Sequence, residues 1–125
     1  MELKKDCEYI VRRAIERVQP DAAVRRALRG RDFAGGRLIL VSVGKAAWTM
    51  ADAAWEELGG RIDAGIVITK YGHAKGGIGP LAIREAGHPV PDENSFAAAR
   101  EALRITEGLR EEDTVLFLLL SLIHI

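Results

Sequence analysis

Cysteine is nearly absent from this chain: Cys7 stands alone among 125 residues. No intrachain disulfide and no thiolate metal cluster can form from a single thiol. Net charge is absent as well, because 18 Lys and Arg balance 18 Asp and Glu. That balance excludes binding to nucleic acid or to an anionic membrane driven by bulk charge. Histidine is scarce, at positions 73, 88 and 124, so a His-rich metal site is not expected and no metal ligands are assigned. No apolar run approaches the ~20 residues of a membrane span. The segment Met1 to Asp6 is charged and enters an amphipathic pattern directly, unlike a secretion signal. The expected location is the cytoplasm.

What is present suits one globular domain. Hydrophobic residues make up 48% and charged residues 29%, the balance of a soluble fold. The length is sufficient to bury a core without staples.

Leu3, Cys7, Ile10, Val11, Ala14, Ile15 and Val18 recur at helical spacing. Cys7 falls on that stripe and is expected to be buried as a small hydrophobe. Pro20 stops the helix, and Asp21 is placed to cap a second one carrying Val24, Ala27 and Leu28. Leu38 to Val43 is a nearly continuous apolar run, as in strands buried on both faces. Gly44 ends it, and a helix follows with Ala47, Met50, Ala51, Ala54, Trp55 and Leu58 on one stripe. Trp48 and Trp55, seven apart on that helix, are expected to pack. A second apolar strand, Ala64 to Thr69, leads into a glycine-rich segment from Lys70 to Pro80. A short strand over Leu81 to Ala86 precedes the turn Gly87-His88-Pro89-Val90-Pro91. Asp92 is placed to cap a long helix, and a last strand begins at Thr114. The alternation of strands and helices predicts an α/β fold, a three-layer α/β/α sandwich with a largely parallel, Rossmann-like sheet. That sheet is expected to be incomplete at its C-terminal end.

Ligands of open α/β sheets bind outside the carboxyl ends of the strands. The unusual residues gather there: Gly44-Lys45 after the first strand, Lys70-Tyr71-Gly72-His73 after the second, and Gly87-His88-Pro89 after the third. Lys45 is expected in the first helical turn, where a cation opposes the helix dipole at a cost of roughly 0.3–1 kcal/mol. Such a cost without local gain points either to an anion site or to a lysine bent away into solvent. The glycines of the Lys70–Pro80 loop fit either close approach to a ligand or a mobile surface loop. Neither a GxGxxG fingerprint nor a Walker A loop is present.

Three blocks carry a resemblance. Val43 to Ala51 (Val-Gly-Lys-Ala-Ala-Trp-Thr-Met-Ala), Gly65 to His73 and Glu85 to Ser95 resemble the glycerate 2-kinase family in order and spacing, within a match over residues 3 to 119. These are the enzymes with a MOFRL C-terminal domain, some of which carry the name hydroxypyruvate reductase. The resemblance implies transfer of the γ-phosphoryl of ATP, with Mg²⁺, to the 2-hydroxyl of D-glycerate. It implies two α/β domains with the active site between them, D-glycerate and ATP as the small-molecule partners, and Lys45 as a catalytic residue. Gly44, Lys70, Tyr71, Gly72, His73 and His88 are the expected substrate- or nucleotide-binding positions. No nucleic-acid or membrane partner is implied; the missing partner is the C-terminal domain of the same chain. Residues 1–119 are read as a truncated N-terminal domain, inactive alone. Residues 120–125, Leu-Ser-Leu-Ile-His-Ile, depart from the family's Ser-Gly-rich continuation and resemble a translated sequencing-library adapter. A non-catalytic anion- or nucleotide-binding domain is the alternative reading, and a hydroxypyruvate reductase a third.

Overall fold

The computed structural model describes residues 2–33 and 35–120. Residues 121–125, most of the segment read as non-native, lie outside the described residues. Leu120 belongs to the last strand and pairs with Gly44.

The chain runs α1 (Leu3–Arg17), α2 (Pro20–Leu28), β1 (Leu38–Gly44), α3 (Ala47–Leu58), a short 3-10 turn, β2 (Ala64–Lys70), β3 (Ala82–Ala86), α4 (Glu93–Ile105) and β4 (Thr114–Leu120). The four strands form one sheet in the order β3-β2-β1-β4, parallel throughout. Parallel strands need a long return connection, and helices supply it between β1 and β2 and between β3 and β4. The order follows the first four strands of a doubly wound sheet.

The apolar runs of β1 and β2 are explained by burial on both faces. Leu38 and Leu40 point into a core built with Val24 and Leu28 of α2 and Met50, Ala51 and Ala54 of α3. Ile39, Val41 and Ile66 point the other way, against Ala102 and Ile105 of α4. Two cores on opposite faces of one sheet make the three layers expected. On β4 the layer is uneven: Leu116 and Leu118 pack on the α3 side, whereas Val115, Phe117 and Leu119 are 36%, 57% and 61% exposed on the α4 side.

Three local expectations are corrected. Cys7 is exposed rather than buried, because no residue of α1 is buried. Helical periodicity marks an apolar stripe but not the presence of something to cover it. Asp21 is not the cap of α2: Gln19 is the N-cap residue and Pro20 opens the helix, where its missing N–H costs nothing. Asp21 lies in the first turn and pairs with Arg25 at 2.9 Å. Lys45 is not in the first turn of α3 either, since the helix starts at Ala47 with Ala46 as N-cap.

Candidate functional site

The candidate site is the carboxyl edge of the sheet. The connections out of β1 and β2 run one way along the sheet, and the connection out of β3 runs back to β4. The crevice where the direction reverses lies between β1 and β4, and such switch points are where open sheets take ligands. Gly44 and Lys45 leave β1 at that point.

The sequence builds this turn with care. Gly44 has φ +119, and a Cβ there would stand 2.5 Å from the Leu120 carbonyl oxygen. Only glycine lets β1 and β4 stay paired to their last residues. Two buried hydroxyls hold the turn from below. Ser42, fully buried in β1, donates to the Ala47 carbonyl at 2.8 Å. Thr69 in β2, also buried, donates to the Lys45 carbonyl at 3.4 Å. The Lys45 side chain is exposed above them. Ala46 caps α3 with no side-chain hydrogen bond, and the first turn holds no acidic residue. The N–H groups of that turn, together with the Lys45 ammonium, favour an anion.

The Lys70–Pro80 loop is pinned to α3 rather than hung from β2. The Trp48 indole N–H donates to the Gly76 carbonyl at 2.9 Å, and the Lys75 ammonium sits 5.6 Å from the Trp48 ring centroid. Trp55 fills the space where a Cβ on Gly79 would go, at 2.5 Å. Both tryptophans therefore pack as expected, with the loop as part of what they pack on. The His73 N–H donates to the Glu85 carboxylate at 3.1 Å and to the Lys70 carbonyl at 3.1 Å.

Between the ends of β1, β2 and β3 and the helix α4 lies a groove of about 780 Å³. Gly44, Lys70 and His88 share its wall; Lys45, Tyr71, Gly72 and His73 do not. The groove extends down the uncovered face of β4 to Val115 and Phe117, and its lining is mostly apolar. Among the described residues, no group of three or more His, Cys, Asp or Glu side chains could hold a metal ion. No helix among them is long and apolar enough to cross a membrane.

Sequence reasoning missed Ser42 and Thr69, whose signal was a hydroxyl inside an otherwise apolar strand. A buried hydroxyl must find an acceptor, and here the acceptors are the Lys45 carbonyl and the Ala47 carbonyl at the start of α3.

Residues 6–121 match the family described as Domain of unknown function (DUF4147). The chain belongs to that family. It is 53% identical over 117 residues to a D-glycerate 2-kinase of Thermotoga maritima, a match covering 94% of this chain and 28% of that relative. The crystal structure of a glycerate kinase from the same organism superposes with a TM-score of 0.86, again over 94% of this chain and 28% of the other. A glycerate 2-kinase of Pyrococcus horikoshii is 35% identical, over 97% of this chain and 29% of its own length. A putative hydroxypyruvate reductase of Agrobacterium vitis is 44% identical over 67% of this chain and 19% of its own. The DUF4147 chain thus spans less than a third of the curated relatives it matches.

Proposed function

We propose that this chain supplies the N-terminal part of an ATP-dependent glycerate 2-kinase, with Lys45 as a catalytic residue. The observation that carries the reading is the Gly44-Lys45 turn at the switch point of the sheet, in a chain 53% identical to a D-glycerate 2-kinase. In the proposed reaction the 2-hydroxyl oxygen of D-glycerate bonds to the γ-phosphorus of ATP. The bond from that phosphorus to the β,γ-bridging oxygen breaks, giving 2-phosphoglycerate and ADP, and the hydroxyl proton is released. Such transfers depend chiefly on positioning and on neutralising charge spread over the phosphoryl oxygens.

The Lys45 turn fits an anion: an exposed ammonium beside the uncapped N-terminus of α3. ATP phosphates and the glycerate carboxylate both meet that description. The described residues do not fit a metal site of their own. Mg²⁺ would arrive with the nucleotide phosphates and help neutralise their charge. The 125-residue chain by itself is proposed to be inactive, since it spans only 28% of its kinase relative.

The test is a coupled ADP assay on the gene completed from its source DNA, wild type beside Lys45→Ala. Glycerate-dependent ADP formation that collapses in the variant supports the reading. A fall in kcat places Lys45 at the phosphoryl group, whereas a rise in KM for glycerate alone places it at the carboxylate. A folded wild type without activity leaves the anion-binding domain. NADH oxidation with hydroxypyruvate would favour the reductase, against which the absent dinucleotide fingerprint argues.

A further inference from the structure

We infer that Tyr71 is a positioning residue whose hydroxyl, through Asp92, latches the loop after β2 to the loop after β3 and so sets the spacing of Lys70 and His88. The inference rests on the reading of the sheet's carboxyl edge as the active site.

Tyr71 is 46% exposed, so core packing does not explain a tyrosine there. Its hydroxyl has two firm partners. It donates to Asp92 Oδ2 at 2.6 Å and accepts from Asn94 Nδ2 at 2.7 Å. A phenol has one proton to donate, and Asp92 takes it, which leaves none for a substrate.

Asp92 joins more than a helix cap requires. Capping α4 uses Oδ1, which accepts from the Ser95 N–H at 3.0 Å and the Ser95 hydroxyl at 3.1 Å. The same Oδ1 accepts from the Gly87 N–H at 3.2 Å, in the loop leaving β3. Oδ2 is left for Tyr71, in the loop leaving β2. One carboxylate therefore ties both strand exits to the start of α4. Lys70 directly precedes Tyr71 and His88 directly follows Gly87, and both line the groove. The Tyr71 hydrogen bond holds the Asp92 carboxyl down at about 2, so the latch stays charged across the neutral range.

The experiment compares wild type, Tyr71→Phe and Asn94→Ala in the completed protein. Arg84→Ala serves as a control, because it breaks the Arg84–Glu101 tie between β3 and α4 without touching the latch. Two readouts are taken: KM and kcat for glycerate, and amide hydrogen exchange across residues 71–74 and 87–91. Tyr71→Phe should raise KM roughly tenfold, the scale of a small misplacement of substrate-positioning groups, and speed exchange in both loops. Asn94→Ala should move both readouts the same way by less, and Arg84→Ala neither. Unchanged KM and exchange in Tyr71→Phe would overturn the latch. Faster exchange with unchanged KM would overturn its role in the site. If the wild type forms no ADP, the kinase reading fails, and the exchange comparison alone decides whether the two loops are joined.

Discussion

Gly44 and Leu120 approach so closely that any side chain on Gly44 would press on the Leu120 carbonyl, 2.5 Å from where a Cβ must lie. The obstacle is backbone in a paired strand, which cannot swing aside as a flexible side chain would. Gly44→Ala should therefore destabilise the domain by at least about 1–3 kcal/mol, from strained φ together with the clash. Chemical denaturation of wild type and variant checks this, and an unchanged midpoint would contradict it.

Ser42 gives a milder and more local test. Ser42→Ala removes the hydrogen bond to the Ala47 carbonyl and should cost about 1 kcal/mol. In the completed protein, if the proposed kinase activity holds, its effect on kcat should exceed that of Thr69→Val, whose lost bond is the longer one at 3.4 Å. Equal activity in both variants would separate the two hydroxyls from the Lys45 turn.

Asp113 predicts a pH response. Its carboxyl is held down at about 2, first by the Arg110 N–H, then by the Arg37 N–H, with the Arg37 guanidinium adding to both. A depressed carboxyl pKa stabilises the fold above the unfolded value of 3.8, and that contribution is lost as pH falls toward about 2. Asp113→Asn should lower stability at neutral pH and flatten the acid limb over that window. Thermal melts at a series of pH values measure it, and parallel curves would argue against it.

The bare side of β4 predicts the behaviour of this chain in solution. Val115, Phe117 and Leu119 form an apolar row on an edge strand, which invites association. The chain should bind a hydrophobic dye and sediment as more than a monomer, and Phe117→Ser should reduce both. A sharp melt from a dye-silent monomer would contradict this.

Much of the fold was legible because its signals are local. The continuous apolar runs of β1 and β2 announced strands buried on two faces, and Asp92 announced the start of α4. The cap is there, with Ser95 completing it reciprocally. What could not be read were relationships between distant positions. The Tyr71–Asp92 bond spans 21 residues and has no periodic trace. The Lys70–Pro80 loop looked equally like a mobile loop, because nothing in its glycines says that two tryptophans of α3 hold it. Cys7 failed for a related reason: a stripe at helical spacing shows an amphipathic helix, and burial depends on a neighbour that the stripe does not name. At the candidate site, the glycine and lysine of the β1 turn were visible as types. The hydroxyls beneath them were hidden within strand patterns.

The strand order has a consequence for synthesis on the ribosome. β1 is central, yet its partner on one side is β4, with Arg37 meeting Asp113 across 76 residues of chain. While β2 and β3 are already emerging and pairing, the other edge of β1 has no strand beside it until residue 114 has left the exit tunnel. The nascent domain therefore passes that stretch of its translation as a three-stranded sheet with one edge of its most deeply buried strand open, and that interval is when a chaperone would find it.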